Sequence, residues 1–158
     1  MLTLQQAYDY TSGMEGKELW AYFDTKGFKT VGVGCNMDAV GCKDLFKALG
    51  IDYVKVYNKV IPLTEEQSMN LFKATFDDRM SKLPKVVVNF SELSDNRQLA
   101  LFDLSMAGMK VVSQFHDMLI AIRIEDWNAA AYHLLDSKWA KDVKSHRANS
   151  DAELLRKG

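Results

Sequence analysis

The sequence predicts an α+β fold that is mostly helical, and three observations predict it. Helix-opening caps recur along the chain, at Thr3–Gln6, Thr64–Gln67 and Ser94. Strand-forming residues concentrate between Leu19 and Val33, on either side of a single turn. With 47% hydrophobic residues in 158, the chain has material for a packed core of one domain's size, and it carries no repeat and no Gly/Ser/Pro-rich linker.

Taken in order, Thr3 to Met14 is a first helix. Thr3 and Gln6 form its capping box, and Leu4, Ala7, Tyr8, Thr11 and Met14 share a face. Gly13 and Gly16 are expected to break it. Leu19 to Phe23 is a strand rich in Trp, Tyr and Phe. Asp24-Thr25-Lys26-Gly27 has turn chemistry, and Phe28 to Val33 is the alternating, β-branched return strand.

Lys43 to Leu49 is a short helix stopped by Gly50. The Tyr/Val content of Ile51 to Ile61 predicts extended structure or a connector, ended by Pro62. The box at Thr64 to Gln67 opens a helix to Leu83, with Met69, Phe72, Phe76 and Met80 as its apolar stripe and Pro84 closing it. Helices follow at Asp95–Met106, Ser113–Arg123 and Asp126–Leu135, around Trp139, and at Asn149–Lys157. The layout is a helix, a small antiparallel sheet, a long connecting helix and a helical bundle. A cleft between sheet-bearing and helical lobes is where a polymeric substrate is expected to lie.

Bulk properties exclude several functions. A net charge of −1 argues for neither nucleic acid nor an anionic membrane surface as partner. No apolar run reaches the length of a membrane span, and MLTLQQAYDY is amphipathic rather than a signal sequence, so folding in a cytoplasm is expected. Cys35 and Cys42 are too few and too close for a secreted disulfide framework; two free buried thiols are expected, ahead of a Cys35–Cys42 bridge or a metal site. His116, His133 and His146 form no ligand spacing with them, so no metal and no cofactor are expected.

The chemistry concentrates near the first turn. Glu15, Asp24 and Thr30 stand nine and then six residues apart, on a helix end, a turn and a strand. Two carboxylates and a hydroxyl are the minimum set for breaking a glycosidic bond: one acid protonates the leaving oxygen, and the other carboxylate orients or activates water on the opposite face. The negative end of the first helix disfavours an ionised Glu15, which suits a proton donor. Asp24 opening the turn is anchored by it.

The run Glu15-Gly16-x7-Asp24-Thr25-x-Gly27-x-x-Thr30-Val31-Gly32-x-Gly34 resembles the signature of the phage-type lysozymes, which are muramidases. The resemblance extends to Ser137-Lys138-Trp139, to Arg147-Ala148 and to the closing Leu154-Leu155-Arg156-Lys157-Gly158. It implies a two-lobed lysozyme-like fold. About 15–61 would form the sheet-bearing lobe, 1–14 and 84–158 the helical lobe, and 64–83 the connecting helix.

It also implies roles. Glu15 falls on the catalytic acid, Asp24 on the second carboxylate, and Thr30 on the threonine that holds the attacking water, which implies inversion. Arg147 falls on the arginine that reaches the catalytic glutamate, and Tyr22 is expected to pack beneath the acid. Cleft positions fall on Asn36, Met106, Met118 and His133; Asn36 and His133 can bond N-acetyl or hydroxyl groups, whereas Met118 can only pack.

Two departures stand out. Cys35 occupies a position that is often His in the family, and Met106-Ala107-Gly108 is one residue shorter than the family's cleft-wall segment and lacks its amide. The implied partner is peptidoglycan, met by a monomer that binds no nucleic acid and inserts in no membrane. The implied setting is an endolysin made in a host cytoplasm and released through a holin-type lesion, with a virion-associated enzyme as the rival. A lytic transglycosylase, which needs the acid but no water site, and a wall-binding module remain as alternatives.

Overall fold

In a computed structural model covering residues 1–158, the chain is mostly helical with one small three-stranded antiparallel sheet, the class the sequence predicts. The elements run α1 (Leu4–Glu15), β1 (Glu18–Phe23), β2 (Lys29–Gly32), β3 (Cys35–Asn36), α2 (Cys42–Ala48), α3 (Tyr53–Tyr57) and α4 (Glu65–Val86). After a 3-10 turn at Phe90–Glu92 come α5 (Asp95–Ser105), α6 (Met109–Gln114), α7 (His116–Arg123), α8 (Trp127–Leu135), α9 (Lys138–Asp142) and α10 (Ser145–Lys157). The chain divides into two compact units, Tyr8–Asp77 and Met1–Ala7 with Asp78–Gly158. The boundaries fall inside α1 and α4.

The first unit holds the sheet, in the order β1-β2-β3. Tyr22 pairs with Thr30 and Phe23 with Lys29, but Glu18 pairs with Gly32, so β1 bulges between Glu18 and Tyr22. Such an irregularity bends a strand and re-aims its side chains. Thr30 and Val31 pair in turn with Asn36 and Cys35. Beneath the sheet, Ala21, Val31, Met37, Phe46, Ile51, Val56, Leu63 and Leu71 form one buried cluster. Gly32 has φ +65, and a Cβ placed on it would stand 3.2 Å from Ser68 Oγ. That hydroxyl is itself 3.1 Å from the Tyr8 phenol oxygen, so glycine lets β2 approach α4 closely.

Capping opens the helices where the sequence predicts it. Thr3 and Gln6 bond reciprocally at 2.8 and 3.2 Å, and Thr64 and Gln67 do so at 2.9 and 3.1 Å. Ser94 Oγ accepts the Arg97 amide at 3.3 Å to start α5.

In the second unit α5 is buried past its first turn, with every residue from Gln98 to Ser105 out of solvent. Gln98 makes three side-chain bonds there. Its oxygen accepts the Leu2 amide at 2.8 Å, and its nitrogen donates to the Phe90 and Leu93 carbonyls at 3.1 and 3.0 Å. The Arg97 guanidinium lies 3.6 Å over the Trp127 ring and donates to the Leu155 carbonyl at 3.0 Å, tying α5, α8 and α10 together.

Five local expectations are corrected. Gly13 lies within α1, and only Gly16, at φ +86, ends the helix. The segment read as extended contains α3: Asp52 accepts the Lys55 amide at 3.0 Å, and Tyr53, Val56 and Tyr57 have helical spacing that β propensity masked. Pro84 does not close α4, which runs to Val86; the ring's fixed φ is helical, and near the end it forfeits only the bond to Met80. The stretch Ser113–Arg123 is two helices, because Phe115 at ψ 58 leaves the helical region, and α6 begins earlier, after Gly108 at φ 117. Finally, α10 starts at Ser145 rather than Asn149, placing Arg147 within its first turn.

The stripe of α4 is turned slightly as well. Phe72 is buried, Met69, Phe76 and Met80 are half-buried, and Ser68, Leu71 and Leu83 are buried beside them. No helix is long and apolar enough to cross a membrane.

Candidate active site

Glu15 is the last residue of α1 and is half-buried. The Gly16 amide donates back to the Ser12 carbonyl at 2.9 Å, and its positive φ turns the chain toward β1. One residue on, Lys17 Nζ reaches Glu65 Oε2 at 2.8 Å, which holds the segment leaving the acid against the start of α4.

Asp24 is fixed by the turn it opens. Its Oδ1 accepts the amides of Lys26 at 2.9 Å and Phe28 at 2.8 Å. Its own amide donates to the Phe28 carbonyl at 2.9 Å, and the Gly27 amide donates to the Asp24 carbonyl at 3.0 Å. Both side-chain bonds fall on Oδ1, so Oδ2 takes no part in the turn. The carboxylate is thus oriented by backbone alone, in the manner of an Asx turn.

Thr30 is buried in β2, its hydroxyl donating to the Phe28 carbonyl at 3.2 Å. Its ladder neighbours are Tyr22 on one side and Asn36 on the other. Asn36 Oδ1 accepts the Asp38 amide at 2.9 Å.

Tyr22 lies across the ladder from Thr30. Burial, and then the charges of Glu15, Glu18 and Asp24, push its phenol above the ordinary tyrosine value. A phenol that senses both Glu15 and Asp24 lies within electrostatic range of each. The structure therefore gathers Glu15, Tyr22, Asp24, Thr30 and Asn36 in the unit Tyr8–Asp77.

The other sequence-predicted positions belong to the second unit. Arg147 is buried and forked onto Asp103: Nε donates to Oδ2 at 2.6 Å, and Nη2 donates to Oδ1 at 3.0 Å. Met106 follows α5 and is half-buried, as is His133 on α8, whose ring meets the Tyr132 ring edge-on at 5.4 Å. Met118 is fully buried in α7 and packs.

Asp103 is the residue that sequence reasoning missed. The available signal was a carboxylate inside the apolar run Leu99-Ala100-Leu101-Phe102-Asp103-Leu104, since a charge in such a run requires a partner. Cys35 and Cys42 are both free. Their mutual hydrogen bond, together with burial, holds the Cys35 thiol well above its usual range. No group of three His, Cys, Asp or Glu residues is arranged to hold a metal ion.

No family model matches the chain. Over 138 residues it is 26% identical to the pre-baseplate central spike protein Gp5 of Enterobacteria phage T4, a match covering 82% of this chain. The same match covers 24% of Gp5, so the chain spans about a quarter of the curated relative's length. The chain is thus similar to part of a much longer phage protein.

Proposed function

We propose that the protein is a phage-associated peptidoglycan hydrolase, a muramidase that cleaves the β-1,4 bond between N-acetylmuramic acid and N-acetylglucosamine. The observation that carries this reading is the placement of Glu15 at the end of α1, of Asp24 Oδ1 in its turn, and of Thr30 opposite Tyr22 in the ladder, all in one unit. Two carboxylates in one neighbourhood, one on a helix end and one locked in a turn, are what acid-assisted water attack requires.

In this reading Glu15 protonates the leaving oxygen. Asp24 Oδ2 and the Thr30 hydroxyl hold the water that attacks the anomeric carbon from the opposite face. The Asp24 charge supports the oxocarbenium character of the transition state, and because water attacks directly, the anomeric configuration inverts. Tyr22 packs between the carboxylates. Losing the acid is expected to cost on the order of 10²–10⁴-fold in rate.

A virion-associated setting is favoured over a free endolysin, because the relative is by name a central spike of a baseplate. Such an enzyme would open the wall locally during entry. A lytic transglycosylase is disfavoured because Asp24 and Thr30 supply a water site that it does not need.

The test is mass spectrometry of purified peptidoglycan digested by the wild-type protein and by Glu15→Gln. Reducing N-acetylmuramic acid ends that disappear with Glu15→Gln are the expected result. Anhydro ends would transfer the reading to a transglycosylase. No new ends from the wild-type protein would leave a wall-binding module.

A further inference from the structure

The sheet-bearing unit contains an open cavity of about 600 Å³, lined in part by Asp38, Val40, Lys43, Asp44, Tyr53 and Tyr57, with neither Glu15 nor Asp24 in its lining. Its volume is in the range that holds a small ligand. Its walls are fixed before any ligand arrives. Asp38 Oδ2 accepts the Lys29 amide at 2.8 Å, Oδ1 accepts the Tyr57 hydroxyl at 3.0 Å, and the Asp38 amide donates to Asn36 Oδ1 at 2.9 Å. The Tyr53 hydroxyl donates to the Met37 carbonyl at 2.7 Å. The two tyrosine rings stack at 5.5 Å and 27°.

The charges decide what can enter. Lys43 Nζ already stands 5.5 Å from the Tyr53 ring, and Lys29 Nζ lies 5.2 Å from the Tyr57 ring and 4.5 Å from that of Phe23. A cationic ligand would therefore face aromatic rings that are already partnered and two ammonium groups close by. An anion would meet the carboxylates of Asp38 and Asp44. A wholly apolar ligand would strip water from three charged side chains and offer them no hydrogen bonds. The remaining class is uncharged and rich in both donors and acceptors, able to give hydroxyl protons to Asp38 and Asp44 and to accept from Lys43. Carboxylate oxygens retain that capacity after one bond each, since an ionised carboxylate has about four acceptor sites.

We propose that this cavity, bounded by the Asp38–Asp44 loop and the Tyr53–Tyr57 pair, binds an uncharged N-acetylated sugar residue, giving the unit a glycan contact made by residues other than Glu15 and Asp24. The choice of an N-acetylated sugar among neutral polar ligands rests on the peptidoglycan reading above. A second contact of this kind would keep a polymeric strand engaged after a cut.

The experiment is a ¹⁵N–¹H correlation titration of full-length Glu15→Gln protein with chitotetraose, the soluble β-1,4 tetramer of N-acetylglucosamine. Glu15→Gln keeps the sugar intact during the measurement. Saturable shifts are expected at the backbone amides of Val40, Gly41, Lys43 and Asp44. Val40 is fully exposed on the rim, so Val40→Trp can fill the cavity without disturbing the core. It is expected to weaken those shifts about tenfold or more, equivalent to roughly 1.4 kcal/mol of binding. Lys43→Ala with Asp44→Ala, both at exposed positions, should do the same by removing the polar partners.

Loop amides that stay still while amides around Asp24 move would overturn the proposal, as would loop shifts that survive both variants. A zwitterionic lysine tetrapeptide that shifts the loop in preference to the sugar would overturn it too. Loop shifts in a protein whose wild type cuts no peptidoglycan would leave this site standing and remove the muramidase reading.

Discussion

The two units hold their polar groups by different means. In Tyr8–Asp77 the groups assigned to the proposed chemistry are set by bonds of short sequence range: Asp24 by the amides two and four residues on, and Thr30 by a carbonyl two residues back. In the other unit two buried polar groups also reach partners far along the chain. Gln98 bonds Leu2, and Arg147 bonds Asp103 across 44 positions. A turn-borne carboxylate can be exchanged without dismantling its surroundings. A forked buried pair cannot, because either half left alone is a charge out of water.

The comparison predicts that chemistry and stability separate between the units. The largest effect is expected from Glu15→Gln: wall-cleaving rate falls on the order of 10²–10⁴-fold with little change in the denaturation midpoint. An active Glu15→Gln protein breaks the assignment of the acid. Arg147→Met should instead cost about 3–5 kcal/mol in chemical denaturation, since Asp103 is then buried without its fork. Adding Asp103→Leu should recover much of that loss; no recovery would mean that the pair is not the unit of stability.

Smaller effects sharpen the contrast within the sheet-bearing unit. Gly32→Ala should destabilise by about 1–2 kcal/mol, because alanine at positive φ is strained and its Cβ crowds Ser68. Gly13→Ala should stabilise by about 0.5–1 kcal/mol, since Gly13 lies in the interior of α1 with nothing within 4 Å of an added Cβ. Equal responses at the two glycines would erase the distinction between a close approach and a replaceable helix position.

The smallest predicted change is in the titration of Tyr22, followed by phenolate absorbance as the difference between the wild-type and Tyr22→Phe proteins. The folded phenol ionises above the ordinary value of about 10. Between the unfolded and folded values the native state binds the extra proton. Stability is therefore full below about pH 10 and falls as pH rises through that window. Glu15→Gln or Asp24→Asn should each shift the Tyr22 titration downward. A titration indifferent to both would separate the carboxylates that the proposed mechanism joins.

What was legible in the sequence follows the same division. Caps at Thr3, Thr64 and Ser94 and the Asp24–Gly27 turn are local in cause, and they form where their residues predict. The strand pair was legible from its β-branched and aromatic content, although the β1 bulge was not, since register depends on β2 and the core beneath it. Helix α3 is masked in the sequence because Tyr and Val favour strands, whereas the Asp52 cap and the packing of Tyr53 against Phe46 at 5.4 Å favour a helix. The partnership of Arg147 with Asp103 joins α10 to α5, and no local pattern encodes it.

The burial of α5 from Gln98 to Ser105 has one further consequence. A helical segment without a solvent face has no local route for water to reach its amides, so from Gln98 to Ser105 hydrogen exchange waits on opening of the whole unit around it. The slowest-exchanging amides of the chain should lie there. Their rates act as an internal gauge of the unit's opening free energy, against which substitutions elsewhere in that unit can be calibrated one residue at a time.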